Sequence, residues 1–265
     1  MIAGALSTIF MGVTLGLLGA GGSILTVPIL VFILGVVPSE ATAYSLFIVG
    51  VTALMGASSY YKKDLIRFKI GFIFALPAFI GVYSVRLLVM PRLPDHIAEI
   101  FGWLLTKDAL ILIVFAVIMI LAALAMIRPS KVSTSGDNKS LNLPLIALEG
   151  LLVGGVTGFV GAGGGFLIIP ALVILAGLEM KEAVGTSLMI ISLKSLFGFI
   201  GDIQGDLVID WTLILSMSAL SIIGAFLGGL LSNKINAAKL KPIFGYFVLI
   251  AGLSILFKEL AGSVF

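Results

Sequence analysis

The chain has no cysteine, one histidine and few charges: Asp, Glu, Lys and Arg together make up 11% of its 265 residues. Without cysteine there is no disulfide framework, no metal thiolate and no redox motif. The single histidine, His96, lies in a loop between apolar runs. That excludes HExxH zinc chemistry and leaves a Ser–His protease without support. No G-x-S-x-G and no P-loop pattern occurs, so nothing points to catalytic residues, a bound metal, a cofactor or ATP use. The scarcity of charge excludes more. A soluble domain carries about 25% charged residues, whereas here the first charge is Glu40 and positions 1–39 have none. The net charge of +3 and the pI near 9.1 rest on so few groups that they imply no nucleic-acid partner. In such a chain a small basic excess reflects cytoplasmic loops. The opening Met1-Ile2-Ala3-Gly4-Ala5 lacks a positive signal-peptide region and is expected to stay on the mature protein.

What is present is apolar. Hydrophobic residues make up 60% of the chain and mean hydropathy is +1.25, more than a globule of this size could hide from water. The solvent is therefore a lipid bilayer. A spanning helix needs roughly 17–25 apolar residues. Runs with almost no charge fall at 2–36, 41–61, 70–90, 109–127, 143–178, 183–201, 211–232 and 241–257. Six of these fit one crossing each. The runs 2–36 and 143–178 are too long for one crossing, and a glycine cluster breaks each. The polar stretch 128–142 reads as a surface linker. The sequence leaves open whether residues 97–105, between two spans, form an additional interfacial helix.

The two halves repeat. Gly16-Leu-Leu-Gly-Ala-Gly-Gly-Ser-Ile-Leu-Thr-Val-Pro28 matches Gly158-Phe-Val-Gly-Ala-Gly-Gly-Gly-Phe-Leu-Ile-Ile-Pro170 at an offset of 142 residues. Register persists through Glu40-Ala41 and Glu182-Ala183, Ser45-Leu46 and Ser187-Leu188, Gly56 and Gly198, and Asp64-Leu65 and Asp206-Leu207. A chance motif would not hold register so far, so the unit is duplicated. Loop charges set its orientation. Lys62, Lys63, Arg67 and Lys69 crowd one loop, while the equivalent loop at 202–210 holds Asp202, Asp206 and Asp210 and no basic residue. Lys and Arg accumulate on the cytoplasmic side, so equivalent loops favour opposite sides. The expected fold is an all-α polytopic membrane protein of two inverted-topology repeats. Each has a glycine-tipped broken helix or hairpin and about three spanning helices. Residues 1–127 form the first repeat, 128–142 a cytoplasmic linker and 143–265 the second repeat, with both termini outside.

The glycine clusters are the candidate site. Within 2–36, Gly19, Ala20, Gly21 and Gly22 divide arms of about 17 and 14 residues, which reach roughly 21–26 Å and fall short of a ~30 Å hydrocarbon core. A hairpin with its tip at membrane depth must be buried in protein or line a wet cavity. The second arm starts at Ser23 or, in the other copy, Gly165 after Gly161, Ala162, Gly163 and Gly164. Its unpaired N–H groups and positive dipole end attract anions. Two tips entering from opposite sides would bracket an anion cavity near the midplane. The alternative is that these glycines only allow close helix packing. Pro28 and Pro170 read as kinks or helix starts.

Lys194 is the one basic residue well inside an expected span. It is a candidate either to compensate a bound anion or to change protonation during transport; the structural alternatives are an ion pair with Glu149 or Asp202, or snorkelling. Ser45, Thr186 and Ser187 lie one turn into the helices after the hairpins, where they could donate to an oxyanion or bond between helices. Glu40 and Glu182 suit helix starts, Asp64 and Asp206 suit turns, and Arg86, near a span end, is expected to snorkel, the alternative being that it guards the pathway.

The paired motifs Gly16-x-x-Gly19-Ala20-Gly21-Gly22…Pro28 and Gly158-x-x-Gly161-Ala162-Gly163-Gly164-Gly165…Pro170 resemble those of the sulfite exporter TauE/SafE family. Ala183-Val184-Gly185-Thr186-Ser187-Leu188 and Gly224-Ala225-x-x-Gly228 are also similar to it. The resemblance covers essentially the whole chain. It implies an inner-membrane transporter of small sulfur-containing anions such as sulfite or organosulfonates. With the site above, that means a secondary carrier, with a proton or sodium ion as the coupling partner. An anion channel and a non-transporting membrane partner remain the alternatives. Substrate identity, direction, coupling ion and oligomeric state are not encoded in these features.

Overall fold

Glycine and proline punctuate this chain, and the helices begin and end where they fall. The computed structural model describes residues 2–18, 21–100, 103–127, 143–161, 163–174, 176–204, 207–231 and 237–261. Ten helical elements follow in order: α1 Ile2–Leu18, α2 Gly22–Ile33, α3 Pro38–Tyr61, α4 Phe68–Ser84, α5 Lys107–Ile127, α6 Leu143–Val160, α7 Gly165–Ile174, α8 Met180–Ile203, α9 Trp211–Leu231 and α10 Ala237–Ala261. A π-helical turn at Val85–Val89 and a 3-10 turn at Met90–Arg92 prolong α4. Six of these helices are long and apolar enough to cross a membrane: α3, α4 with its extension, α5 to Ala125, α6, α8 and α9. α4 leaves Phe72, Leu76 and Ile80 exposed, and α9 leaves Leu215, Ile223 and Phe226 exposed. Water would penalise such faces, whereas lipid is their natural neighbour. The protein is a multi-pass, almost wholly helical membrane protein.

Both long runs break at their glycines. α1 stops at Leu18, and the chain resumes at Gly21 in a 3-10 turn that passes into α2. α6 stops at Val160 and α7 starts at Gly165. The second arms end alike. Gly35 and Gly177 have φ of 71° and 64°, and Val36 N–H donates to Leu30 O (2.9 Å) just as Leu178 N–H donates to Leu172 O (3.1 Å). This six-residue closure caps the last carbonyls of each arm. Pro38 then opens α3 at a position where its missing N–H costs nothing. Glu179 and Glu182 form a capping box that opens α8.

Helix packing repeats on exchange of the halves. α1 lies on α9 and α6 lies on α4; α4 meets α8 and α9 meets α3; α3 pairs with its own equivalent α8, and α5 with α10. Small residues set the distance. A methyl on Gly12 would fall on the Ser221 carbonyl and one on Gly16 on the Ala225 carbonyl, so α1 and α9 run parallel. Gly150, Gly154 and Gly158 of α6 abut Phe74, Ala78 and Val82 of α4 in the same sense. Such glycine stripes let backbones approach closely where no hydrophobic force drives helices together. Between α3 and α8 the order reverses: Gly50 faces Leu196, Gly56 faces Leu188 and Gly198 faces Leu46. These two equivalent helices, the most buried of the spans, therefore run antiparallel at the centre.

The point left open between the two spans is resolved: the described residues of 97–105 are strand rather than helix. His96–Ile100 (β1) pairs antiparallel with Trp103–Thr106 (β2). A helix here would be about nine residues long with Gly102 inside it, too short to hold without tertiary support. The linker expected at 128–142 lies outside the described residues.

Candidate substrate site at the glycine tips

The two hairpin tips meet. A methyl on Gly163 would stand 2.8 Å from Ser23 Cβ and 2.5 Å from a Val49 methyl. Ser23 is wholly buried. Gly163 and Ser23 are in direct contact, with no room for a side chain between them. A small void lies elsewhere, lined by Thr8, Met11, Thr26, Leu30, Ile48 and Met217. What marks the tips is instead their contacts with polar side chains.

The second tip touches three of them. Gly161 and Gly164 adopt φ of +72° and +68°, a left-handed backbone that other residues adopt only at a cost. Neither has room for a side chain. Gly161 packs on Thr42 of α3, while a methyl on Gly164 would crowd Thr157 of α6 and stand 3.3 Å from Lys194 Nζ. Gly165 begins α7 and is buried. On the first tip, Gly22 packs back on α1, 2.6 Å from Met11 O and 2.7 Å from Thr14 Oγ1 if given a methyl. Gly21 opens the 3-10 turn. Gly19, Ala20 and Ala162 lie outside the described residues.

Lys194 is 0% exposed. It neither snorkels nor pairs with Glu149 or Asp202. Its ammonium donates to Thr157 Oγ1 at 2.7 Å, and among the described residues no carboxylate lies within ion-pair distance of it. The equivalent residue in the first half, Thr52, meets Ser221 Oγ at 2.5 Å. The charged chemistry is therefore confined to the second tip.

The other hydroxyls divide. Ser45 Oγ is buried without a hydrogen-bond partner, as is Ser195 Oγ. Thr186 Oγ1 accepts from the Arg67 backbone N–H at 2.9 Å, capping α4 rather than facing the tips. Ser187 Oγ donates back to Val184 O within α8. Glu182, expected as a helix-dipole partner, also accepts from Arg67 Nε at 2.9 Å, and that carboxylate holds the Arg67 guanidinium even above its ordinary basicity.

Arg86 is the residue that sequence reasoning misplaced. It does not snorkel but is 2% exposed. Its Nη1 donates to Thr42 Oγ1 at 3.0 Å and to Asp202 Oδ1 at 3.3 Å. Asp202, read from the sequence as a loop charge, ends α8 and is buried with it. Arg86 Nε and Nη2 and Asp202 Oδ2 have no partner. Thr42 joins this pair to Gly161. An arginine inside the apolar run 70–90 was the available signal, since an ionisable group at that depth marks function by default. Its nearness to the end of the run made snorkelling the competing account.

Broken helices meeting inside a polytopic bundle, with buried basic side chains beside one tip, are features of the transporter class of membrane proteins. The family model described as "Sulfite exporter TauE/SafE" matches residues 4–255, and the chain belongs to that family. It is similar to a "Probable membrane transporter protein" of Xylella fastidiosa (strain Temecula1 / ATCC 700964), 29% identical over 260 residues, covering 96% of this chain and 94% of the relative. It is also similar to two proteins of Bacillus subtilis (strain 168). "Probable membrane transporter protein YjnA" is 28% identical, covering 94% of this chain and 96% of the relative. "Probable membrane transporter protein YdhB" is 27% identical, covering 93% and 96%. No solved structure matches the chain.

Proposed function

We propose that this protein is a secondary transporter that exports small sulfur-containing oxyanions, such as sulfite or organosulfonates, across the inner membrane by alternating access around the two glycine tips. The observation that carries this is the Lys194 ammonium, buried against Gly164 with only a neutral hydroxyl as partner. A buried charge without a counter-charge costs several kcal/mol, and a bound anion would relieve that cost. Family membership supports the sulfur-anion class. The closed contact of Gly163 with Ser23 fits an occluded state, from which the tips would part toward either side. The antiparallel course of α3 and α8 supports inverted repeats, and the basic loop at 62–69 supports a cytoplasmic side there with both termini outside. Gly19, Ala20, Gly21, Gly22, Ser23, Ser45, Gly161, Ala162, Gly163, Gly164, Gly165, Thr186, Ser187 and Lys194 are the proposed substrate-binding residues. Thr186 and Ser187 have the weaker support, being engaged elsewhere.

The test is flux of sulfite and methanesulfonate in proteoliposomes. Wild-type protein should move them, with dependence on a proton or sodium gradient, and Lys194→Gln should slow them about tenfold or more. Absence of wild-type flux across a broad anion panel overturns the transporter reading; gradient-independent flux favours a channel; unchanged flux and affinity in the variant remove Lys194 from the site.

A further inference from the structure

The guanidinium of Arg86 is oriented in an unusual way for a buried ion pair. Its contacts all fall on one nitrogen: Nη1 serves both Thr42 Oγ1 and Asp202 Oδ1. The remaining edge, Nε and Nη2, is buried and unpartnered. Those two N–H groups point in parallel, in the geometry by which a guanidinium grips two oxygens of one oxyanion. A guanidinium held only for structure would pair that edge, because each buried donor left unmade costs about 1–3 kcal/mol.

We infer that the Nε/Nη2 edge of Arg86 is an oxyanion-binding subsite, taking two oxygens of a monoanionic sulfonate, sulfite or similar group, with Asp202 and Thr42 as positioning residues that hold the guanidinium in place. This rests on the anion-transporter reading above and identifies the residue that grips the substrate head. Two observations agree. The subsite adjoins the second tip, because Thr42 carries both the Arg86 contact and the packing of Gly161. The repeat-related place has none of it, since Arg86 and Asp202 correspond to Gly228 and Tyr60 at the 142-residue offset. The substrate head therefore binds off the pseudo-symmetry axis, at the second tip and toward the end of the bundle where α3 begins and α8 ends.

The experiment uses the full chain in nanodiscs and methanesulfonate as probe. Arg86→Lys keeps the charge and removes the two-pronged edge. Losing a charged, bidentate contact predicts a Kd raised about 10–100-fold, with a smaller change for chloride, which cannot use two prongs. Asp202→Asn, which removes one hold on the guanidinium but keeps its edge, should weaken methanesulfonate binding less than Arg86→Lys does. In wild-type protein labelled with nitrogen-15 at arginine, one of the four Arg Nε–H resonances should shift on titration with methanesulfonate and stay in place with chloride. Conservative replacement of Arg67, Arg92 and Arg128 in turn assigns that resonance even if Arg86→Lys does not fold. An unchanged Kd in Arg86→Lys, or a wild-type titration that moves no buried arginine signal, overturns the subsite. If wild-type liposomes move no sulfur oxyanion yet the Arg86 signal shifts, the transport reading fails while the subsite stands.

Discussion

Replacing Lys194 with methionine should make this protein more stable and inactive at once. The side chains are similar in volume, so the packing around α8 is kept. What changes is the charge. Lys194 is wholly buried, with three donors and one acceptor, Thr157 Oγ1 at 2.7 Å. Removing the ammonium relieves a desolvation cost of several kcal/mol. It gives up one hydrogen bond from a charged donor, about 1.5–3 kcal/mol. Thr157 is not orphaned, because its hydroxyl still reaches Gly154 O at 3.3 Å. The difference favours Lys194→Met by about 1–3 kcal/mol. For a chain of this size that is a rise in Tm of roughly 2–12 °C. Thermal unfolding in one detergent, followed by tryptophan fluorescence, reads it, alongside methanesulfonate flux in liposomes. Ligand adds a second arm. At 100 times Kd, methanesulfonate should stabilise wild type by about 2.7 kcal/mol and leave the variant unshifted. A variant that melts lower than wild type, or one that melts higher yet transports normally, would refute the claim that this charge is held for an anion.

Two further outcomes follow from the packing. Gly12 and Gly154 occupy equivalent places, and a methyl on either would land on a backbone carbonyl of the facing helix, Ser221 or Ala78. Gly12→Ala and Gly154→Ala should each cost about 1–3 kcal/mol by overpacking, and by similar amounts; thermal melts giving a loss at one position alone would break the equivalence of the halves. Because the chain has no cysteine, single cysteines report sidedness directly. In intact spheroplasts, Val208→Cys, at 84% exposure, should react with a membrane-impermeant maleimide, and Lys62→Cys should react only after lysis. The reverse pattern would overturn the assigned orientation.

Local pattern carried a large part of the architecture. The six single-crossing runs appear as helices near their expected limits, and the two long runs break where the glycines cluster. Helix length in lipid depends on apolar run length, and breaks depend on residues that weaken or redirect a helix; both are legible in one dimension. The 142-residue register has a local counterpart, since Gly35 and Gly177 end their arms with the same closure. Residues 97–105 stayed undecided in the sequence, because nine mildly apolar residues suit a helix and a hairpin alike until their neighbours are known.

The candidate site was half legible. Lys194 and the glycine tips stood out because charge and broken backbone are both costly in hydrocarbon, and each cost is visible in a single stretch of sequence. Their partners did not. Arg86 finds Asp202 across 116 positions and Lys194 finds Thr157 across 37, and neither separation follows a helical period. The absence of charge before Glu40 and the scarcity of it afterwards determined, from the sequence alone, that lipid is the solvent and that any buried charge has a purpose. Which charges meet, and which edge of a guanidinium is left bare, only the tertiary structure decided, because those contacts depend on how helices distant in the chain pack side by side.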